Sequence, residues 1–543
     1  MISLEDFFTT NRAPNDEEHK ILKHLAAEYD DRLTTITNKI SDLEAQLQIL
    51  NDEKTLIMEA AAPFKRALLP FRRLPEDVVR EIFVACLPIG RDPTMSATEA
   101  PVLLTRISSA TRRVALTTPA LWAAIHIRIE ILPERMDDAT SIMAARAVGV
   151  EEWLLRRSGS LPLHISVHHP RAPYKDHDLG QKIIDILLGC CSRWRCVSFM
   201  SLPKFLLRIS TLTHADVPIL NSLSICPSRS DRDDVDWKSS LILTAPNLQR
   251  LSVSGMPRPS DYLANWSNLT HIGFPRTFHF SLPGFIEDLA RILRQTTRLI
   301  SCCIRILGNI GLLNPVDEIS LPFLKVLDVI EDGILPAINA PALETIRYNA
   351  YDDIDAAPMN LIALLKRTPN VKELWMGDFT NPHFLVECLR HCPSLTRLRV
   401  SGLIGSDDND KQNFIRNDAL IEAFVLDDDT QCLCPRLEYF HCDKYFPLSL
   451  GTLHKFITHK NGRSQALSRW DTVVIKVVYH PRDEHLQYIG ELSSKYVVED
   501  MKLSLLFEKW ARSYNSFGMR KPEAPEDVWW QRRSQVDFEH LMY

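Results

Sequence analysis

The first long pattern in the chain is helical. From Asp16 to about Ala62 there is neither glycine nor proline, and the apolar residues fall on Leu22, Ala26, Tyr29, Leu33, Ile36, Ile40, Leu43, Leu47, Leu50 and Ile57. The steps alternate between four and three until Lys54 takes one seam position, a heptad seam kept for about five heptads. This spacing predicts a coiled-coil helix over 16–62, suited to self-association, after a flexible N-terminus at 1–15. Pro63 and Pro70 are expected to end it.

A second, shorter pattern follows in RRLPEDVVREIFVACLP, residues 72–88. Pro75 fits a first helical turn, where its missing amide hydrogen has no partner to lose, and Glu76 and Asp77 sit where the helix dipole favours negative charge. Val78, Ile82 and Ala85 form one apolar stripe and Val79, Phe83, Cys86 and Leu87 a second beside it. So wide an apolar arc on so short a helix leaves one side for its own core and the other for something else.

From residue 129 to about 480 a third pattern recurs. Pro-x-Leu-x-x-Leu-x-Val returns as VPILNSLSI, APNLQRLSV, LPFLKVLDV, APALETIRY, TPNVKELWM, CPSLTRLRV and CPRLEYFHC, on Pro218, Pro246, Pro322, Pro341, Pro369, Pro393 and Pro435. Looser copies are CSRWRCVSF, WSNLTHIGF and TTRLISCCI; EEWLLRRSGSLPLHISVHH reads as an earlier unit and TVVIKVVYH as a late strand. Each turn feeds a short strand with alternating apolar residues, and stretches such as PGFIEDLARILRQ and NPHFLVECLRHC have helical period. One unit cannot bury its own leucines, so the units must stack, as in an irregular leucine-rich-repeat solenoid of α/β class. Residues 481–543, with Trp510, Trp529 and Trp530, read as a C-terminal cap or tail.

Composition narrows the function. The 543 residues are 45% apolar and 24% charged with a formal net charge of -6, which gives no electrostatic reason to expect nucleic acid or an acidic membrane as partner. Twelve cysteines lie without framework spacing, as reduced thiols of a cytoplasmic or nuclear protein do. The start, MISLEDFFTT, lacks a secretory pattern, and no run of about 18 apolar residues is long enough to span a membrane. No phosphate-cradling, dinucleotide, zincin or nucleophile-elbow motif is found. Cys432, Cys434, His441 and Cys442 match no established zinc spacing. The expectation is a non-catalytic protein without metal or cofactor.

LPEDVVREIF, residues 74–83, followed by RRVALTTPALW, residues 112–122, resembles the F-box, in the form common in large fungal families where a heptad helix precedes it. The match covers about residues 15 to 128, with an F-box-like domain at 68–128. Where the family pattern usually has cysteine and tryptophan in the third helix, this chain has Ser108 and Thr111. The resemblance implies docking of a Skp-type adaptor of a cullin-RING ubiquitin ligase through Leu74, Pro75, Val78, Val79, Ile82 and Phe83. The repeats would then bind a substrate protein, making the chain a substrate receptor for ubiquitin-dependent degradation. The alternative reading is a ligase-independent coiled-coil scaffold.

Substrate is expected on the outer, concave face of the strands. The residue six after each motif proline gives a row, Ser252, Asp328, Arg347, Trp375, Arg399 and His441; four after gives Arg250, Glu373, Arg397 and Tyr439. In register, Arg347, Trp375 and Arg399 would be neighbours with Arg397 and Glu373 beside them, an aromatic among guanidinium groups suited to an acidic or phosphorylated segment.

Overall fold

The heptad segment is one helix, Asp16–Ala67, of 52 residues. The computed structural model describes residues 13–68, 70–129, 139–169, 180–227, 237–254, 259–278, 285–307, 317–330, 333–349, 359–377, 382–400, 417–425, 433–445, 449–459, 467–477 and 502–507. The helix opens on a capping box. Asn15 Oδ1 accepts from the Glu17 and Glu18 amides at 3.1 and 2.9 Å, and Glu18 Oε2 accepts from the Asn15 amide at 2.9 Å. It runs through Pro63, contrary to the expected stop. A helical proline removes the donor to the carbonyl four residues back, here that of Glu59, and crowds that carbonyl, but the stretch is exposed and water can reach the freed oxygen. The last turn closes with Leu68 donating to the Phe64 carbonyl at 3.0 Å.

The chain forms two units, Met1–Glu81 and Ile82–Tyr543, and the divide falls inside the helix Glu76–Ala85. The second unit is a long parallel sheet with helices on its connections. Its strands are β1 (Ala124–Arg128), β2 (Leu163–His168), β3 (Trp194–Ser201), β4 (Ser222–Pro227), β5 (Arg250–Val253), β6 (His271–Phe278) and β7 (Ser301–Leu307). A two-stranded parallel pair, β8 (Ile319–Ser320) with β10 (Ile338–Asn339), stands apart from β9 (Val326–Val329) and β11 (Thr345–Asn349). The series ends with β12 (Glu373–Gly377), β13 (Arg397–Val400), β14 (Tyr439–Tyr445), β15 (Thr472–Val477) and β16 (Lys502–Phe507). Apart from β8 and β10, strand order in the 14-stranded sheet is chain order. The sheet therefore begins at β1, inside the stretch assigned to the F-box-like domain, and β16 carries it past residue 480 into the stretch read as cap or tail. Trp510, Trp529 and Trp530 lie outside the described residues.

The motif has a direct mechanical cause. In all seven proline-bearing copies the residue before the proline accepts a hydrogen bond from the amide three positions on: Leu220 to Val217, Leu248 to Ala245, Leu324 to Leu321, Leu343 to Ala340, Val371 to Thr368, Leu395 to Cys392 and Leu437 to Cys434. Proline in the second position of such a turn is already fixed near the required backbone angle. The donor's own side chain is then buried, at most 2% exposed in every copy. One residue later a single carbonyl receives two amides of the next unit: Lys372 accepts from Thr396 and Arg397 at 2.9 and 3.0 Å, and Thr396 from Glu438 and Tyr439 at 2.9 and 3.0 Å. This ladder, repeated from Asn221 onward, fixes the register.

Inside, alternate strand residues such as Ile165, Leu223, Ile346, Leu374, Leu398 and Phe440 are 0% exposed. Helices Gln181–Gly189, Pro203–Ser210, Phe285–Gln295, Met359–Arg367, Pro382–Arg390 and Leu450–His459 fill some of the connections, and 3-10 turns such as Leu241–Thr244 fill others. His271, opposite Arg250 in the sheet, is held by burial and by that guanidinium well below the usual imidazole value, at about 4. The unfolded chain thus takes up this proton first. The stability tied to neutral His271 is complete above about pH 6.5 and drains away as pH falls to 4, by about 3 kcal/mol. Thermal melts at pH 7 and 4.5 should show a smaller drop for His271→Gln than for the parent chain; equal drops would assign the acid sensitivity elsewhere.

No helix among the described residues is long and apolar enough to cross a membrane.

Candidate functional site

The helix Glu76–Ala85 sorts its apolar residues by exposure. Val79 and Phe83, four apart and hence on one face, are 8% and 3% exposed. Val78 and Ile82, the adjoining i, i+4 pair, are 40% and 38% exposed, and Leu74 just before the helix 36%. Pro75 is exposed too. Of the six residues expected to dock an adaptor, Leu74, Pro75, Val78 and Ile82 are thus accessible, while Val79 and Phe83 are buried. On the polar side Arg80 pairs with Glu76 at 2.5 Å.

The stretch that follows explains Ser108 and Thr111. Ser108 caps the helix Ser109–Leu116: its hydroxyl accepts from the Thr111 amide at 3.1 Å, and Thr111 Oγ1 accepts from the Ser108 amide at 2.9 Å. Two orphan donors are satisfied reciprocally, and Thr111 is buried. The aromatic bulk lies elsewhere, in Trp122, fully buried, edge-on to Trp153 at 4.7 Å and donating from Nε1 to the Ala115 carbonyl at 2.8 Å. Leu103 and Ile107, by contrast, are 42% and 61% exposed. Ser108→Ala should cost about 1 kcal/mol of stability, read as a small fall in melting temperature that Ser108→Asp largely restores; an unchanged melt for alanine would show that the cap carries no stability.

On the sheet face opposite the apolar row, the predicted rows lie in register. Asp328 on β9 pairs with Arg347 on β11, Arg347 with Trp375 on β12, Trp375 with Arg399 on β13, and Arg399 with His441 on β14. The second row runs Thr345, Glu373, Arg397 and Tyr439. Arg347 lies over the Trp375 ring at 4.3 Å and Arg399 over the same ring at 4.6 Å; Arg397 lies over Tyr439 at 4.3 Å. Trp375 Nε1 donates to Glu373 Oε1 at 2.7 Å, and Arg397 reaches the same oxygen at 3.7 Å. Glu373 is 9% exposed and turned to its own neighbours.

Two members of this face were missed from the sequence. Arg305 on β7 grips Asp328 bidentately, Nε to Oδ1 at 2.9 Å and Nη2 to Oδ2 at 2.8 Å. Burial opposes its charge, but Asp328 and Cys303 together outweigh burial and raise its pKa. Cys303 stands opposite Asp328. The alternation that selected Asp328 would have selected both on β7, whose copy of the motif lacks proline. Toward the N-terminal end the row continues through Gly273, Ser252, Ser224, Ser198, Ser166 and His126. One half of the face is small and hydroxylated, the other charged and aromatic.

The cysteines offer little nucleophilic chemistry. None of the described ones forms a disulfide with another described cysteine. Burial raises the thiol pKa of Cys190 to about 11 and of Cys302 and Cys392 to about 12, which keeps them protonated and unreactive. Cys434 is a buried turn residue and Cys442 a buried residue within β14, and Cys432 lies outside the described residues. No cluster of metal-ligating side chains occurs among the described residues.

No protein-family model matches the chain, and no curated protein does. Among solved structures it is similar to a Bacteroides fragilis protein determined by structural genomics, at 12% identity over 63% of this chain and 72% of that one, with a TM-score of 0.26.

Proposed function

We propose that the chain is a substrate receptor of a Skp-cullin-F-box ubiquitin ligase, with no chemistry of its own and a place in the cytoplasm or nucleus. In this reading the Leu74–Pro75 start and the helix after it belong to an F-box-like module that docks the adaptor. The sheet is that of an irregular leucine-rich-repeat solenoid whose outer face takes the substrate protein. The observation that carries it is the sorting of the Glu76–Ala85 helix: Val79 and Phe83 are buried, while Leu74, Val78 and Ile82 form an apolar stripe open to water, on the residues where the F-box resemblance puts its adaptor contact. A helix that served only its own core would have no use for the second stripe.

The exposed heptad seam favours a second reading, a scaffold that pairs through the long helix and holds partners on its sheet without a ligase. The two are separated by co-expression with a Skp-type adaptor and a cullin scaffold. Stable co-purification of the adaptor at equal stoichiometry supports the receptor; a chain that never retains it leaves the scaffold.

A further inference from the structure

The outer sheet face contains a cation that the fold itself does not satisfy. Arg347 is only 4% exposed, yet its Nε and Nη1 are buried without any hydrogen-bond partner. A charged group is expensive to bury unless acceptors meet it, and the acceptors nearby are already taken. Both oxygens of Asp328, the neighbour on one side, receive Arg305. On the other side Glu373 Oε1 receives Trp375 and faces Arg397, and Oε2 receives Thr345 Oγ1 at 3.4 Å. Among the described residues three guanidinium groups, Arg305, Arg347 and Arg397, share two carboxylates, Asp328 and Glu373, whose hydrogen bonds go to partners other than Arg347.

The arrangement around the surplus charge is directional. Arg347 and Arg399 lie on the strands either side of Trp375 and both stack on its ring. Strand spacing puts their backbones roughly 10 Å apart. The two like charges, held together over one aromatic platform, gain from a bridging acceptor with several oxygens. Two residues along β11 on the same face, Asn349 Oδ1 is a second buried atom without a partner. It lies against Gly377, where a Cβ would come within 2.2 Å of it, so only glycine leaves the amide its place. Turned about its last bond, that amide offers a further N–H.

We infer that the face spanning β11 to β13 is an oxyanion-binding site, with Arg347 and Arg399 holding a phosphate monoester or carboxylate presented by a protein segment and Trp375 as the platform beneath it. The inference rests on the receptor reading only for who presents the anion; the site itself needs no adaptor. Its ligand is an anionic side chain that sits against the sheet and brings negative charge beside the stacked Arg347 and Arg399.

The test uses the full chain alone and three fluorescent peptide libraries that differ only at a central residue, serine, aspartate or phosphoserine, read by fluorescence anisotropy. A phosphate preference should appear as at least tenfold tighter binding of the phosphoserine library than the serine library, and a carboxylate preference as the same gain for aspartate. Arg347→Met keeps the buried stem and removes the charge, and should erase the gain. Arg399→Gln, at a half-buried position whose loss leaves the core untouched, should reduce it several-fold, while the exposed helical variant Arg156→Gln should not change it. Circular dichroism and melting of Arg347→Met separate loss of the site from loss of the fold, and Arg399→Gln decides if that variant fails to fold. Equal binding of all three libraries by the parent chain, or an anion preference that survives both Arg347→Met and Arg399→Gln, overturns the inference. Adaptor capture by Arg347→Met, measured alongside, reports on the receptor reading separately.

Discussion

A chain carrying Leu74→Asp and Ile82→Asp together should lose a co-expressed Skp-type adaptor while folding as before. The two side chains are 36% and 38% exposed, so in the free protein each aspartate meets water and costs little. In a complex each would enter an apolar contact unpaired, at a combined cost on the order of 3 kcal/mol or more, about a hundredfold or more in affinity. Val78, at 40% exposure between them, should give the same result on its own in milder form as Val78→Asp. Val79→Asp is a different experiment: its side chain is 8% exposed, and a charge there should lower the melting temperature whether or not a partner exists. The measurement is the adaptor-to-receptor ratio after affinity capture of the receptor. Undiminished adaptor on the double variant removes this stripe as the docking surface.

What the sequence made legible follows from how local each cause is. The proline turn, the buried leucine after it and the alternating strand are all set within nine residues, so each copy could be read alone. The register of Asp328, Arg347, Trp375, Arg399 and His441 came with it, because every strand is entered through the same turn and the carbonyl before it receives the next unit's amides. Features set by distant partners were not legible. Nothing in TIRYN announces that Arg347 would be buried without acceptors, since that depends on Arg305 having claimed Asp328 from the strand beyond.

Elsewhere one strong signal masked another. AIHIR lies in the stretch that the F-box resemblance covers, yet pairs as β1 of the long sheet. Pro63 reads as a stop, yet the helix continues through it to Ala67. Ser108 and Thr111 looked like losses against the F-box pattern. Their reciprocal capping box was overlooked because its third position holds threonine rather than glutamate or glutamine.

The full chain should be a dimer in light scattering, about 124 kDa against 62.1 kDa for one chain, and a chain beginning at Leu68 should be a monomer. On the helix Asp16–Ala67 the seam residues Tyr29, Leu33, Ile36, Ile40, Leu43, Leu47, Leu50 and Ile57 are between 51% and 63% exposed. A second copy covers such a stripe along its whole length with the same residues. Orientation can be read from the polar members. Flanking ion pairs do not decide it: a parallel pair sets Lys39 near the partner's Glu44, and an antiparallel pair sets Arg32 near the partner's Glu53. Lys54 does decide it. Parallel pairing puts two Lys54 ammonium groups face to face in the seam. Antiparallel pairing centred between Ile40 and Leu43 sets each Lys54 across from Tyr29, whose ring and hydroxyl can receive it, and keeps Leu33 on Leu50 and Ile36 on Leu47. The helix contains no cysteine, so with the exposed Cys86 replaced by serine introduced pairs report directly. Tyr29→Cys mixed with Lys54→Cys should form a cross-linked dimer under mild oxidation, whereas Leu50→Cys alone should not. Efficient cross-linking of Leu50→Cys to itself would establish the parallel arrangement instead. A monomer's mass for the full chain, as for the shortened one, would mean that the seam does not pair two copies.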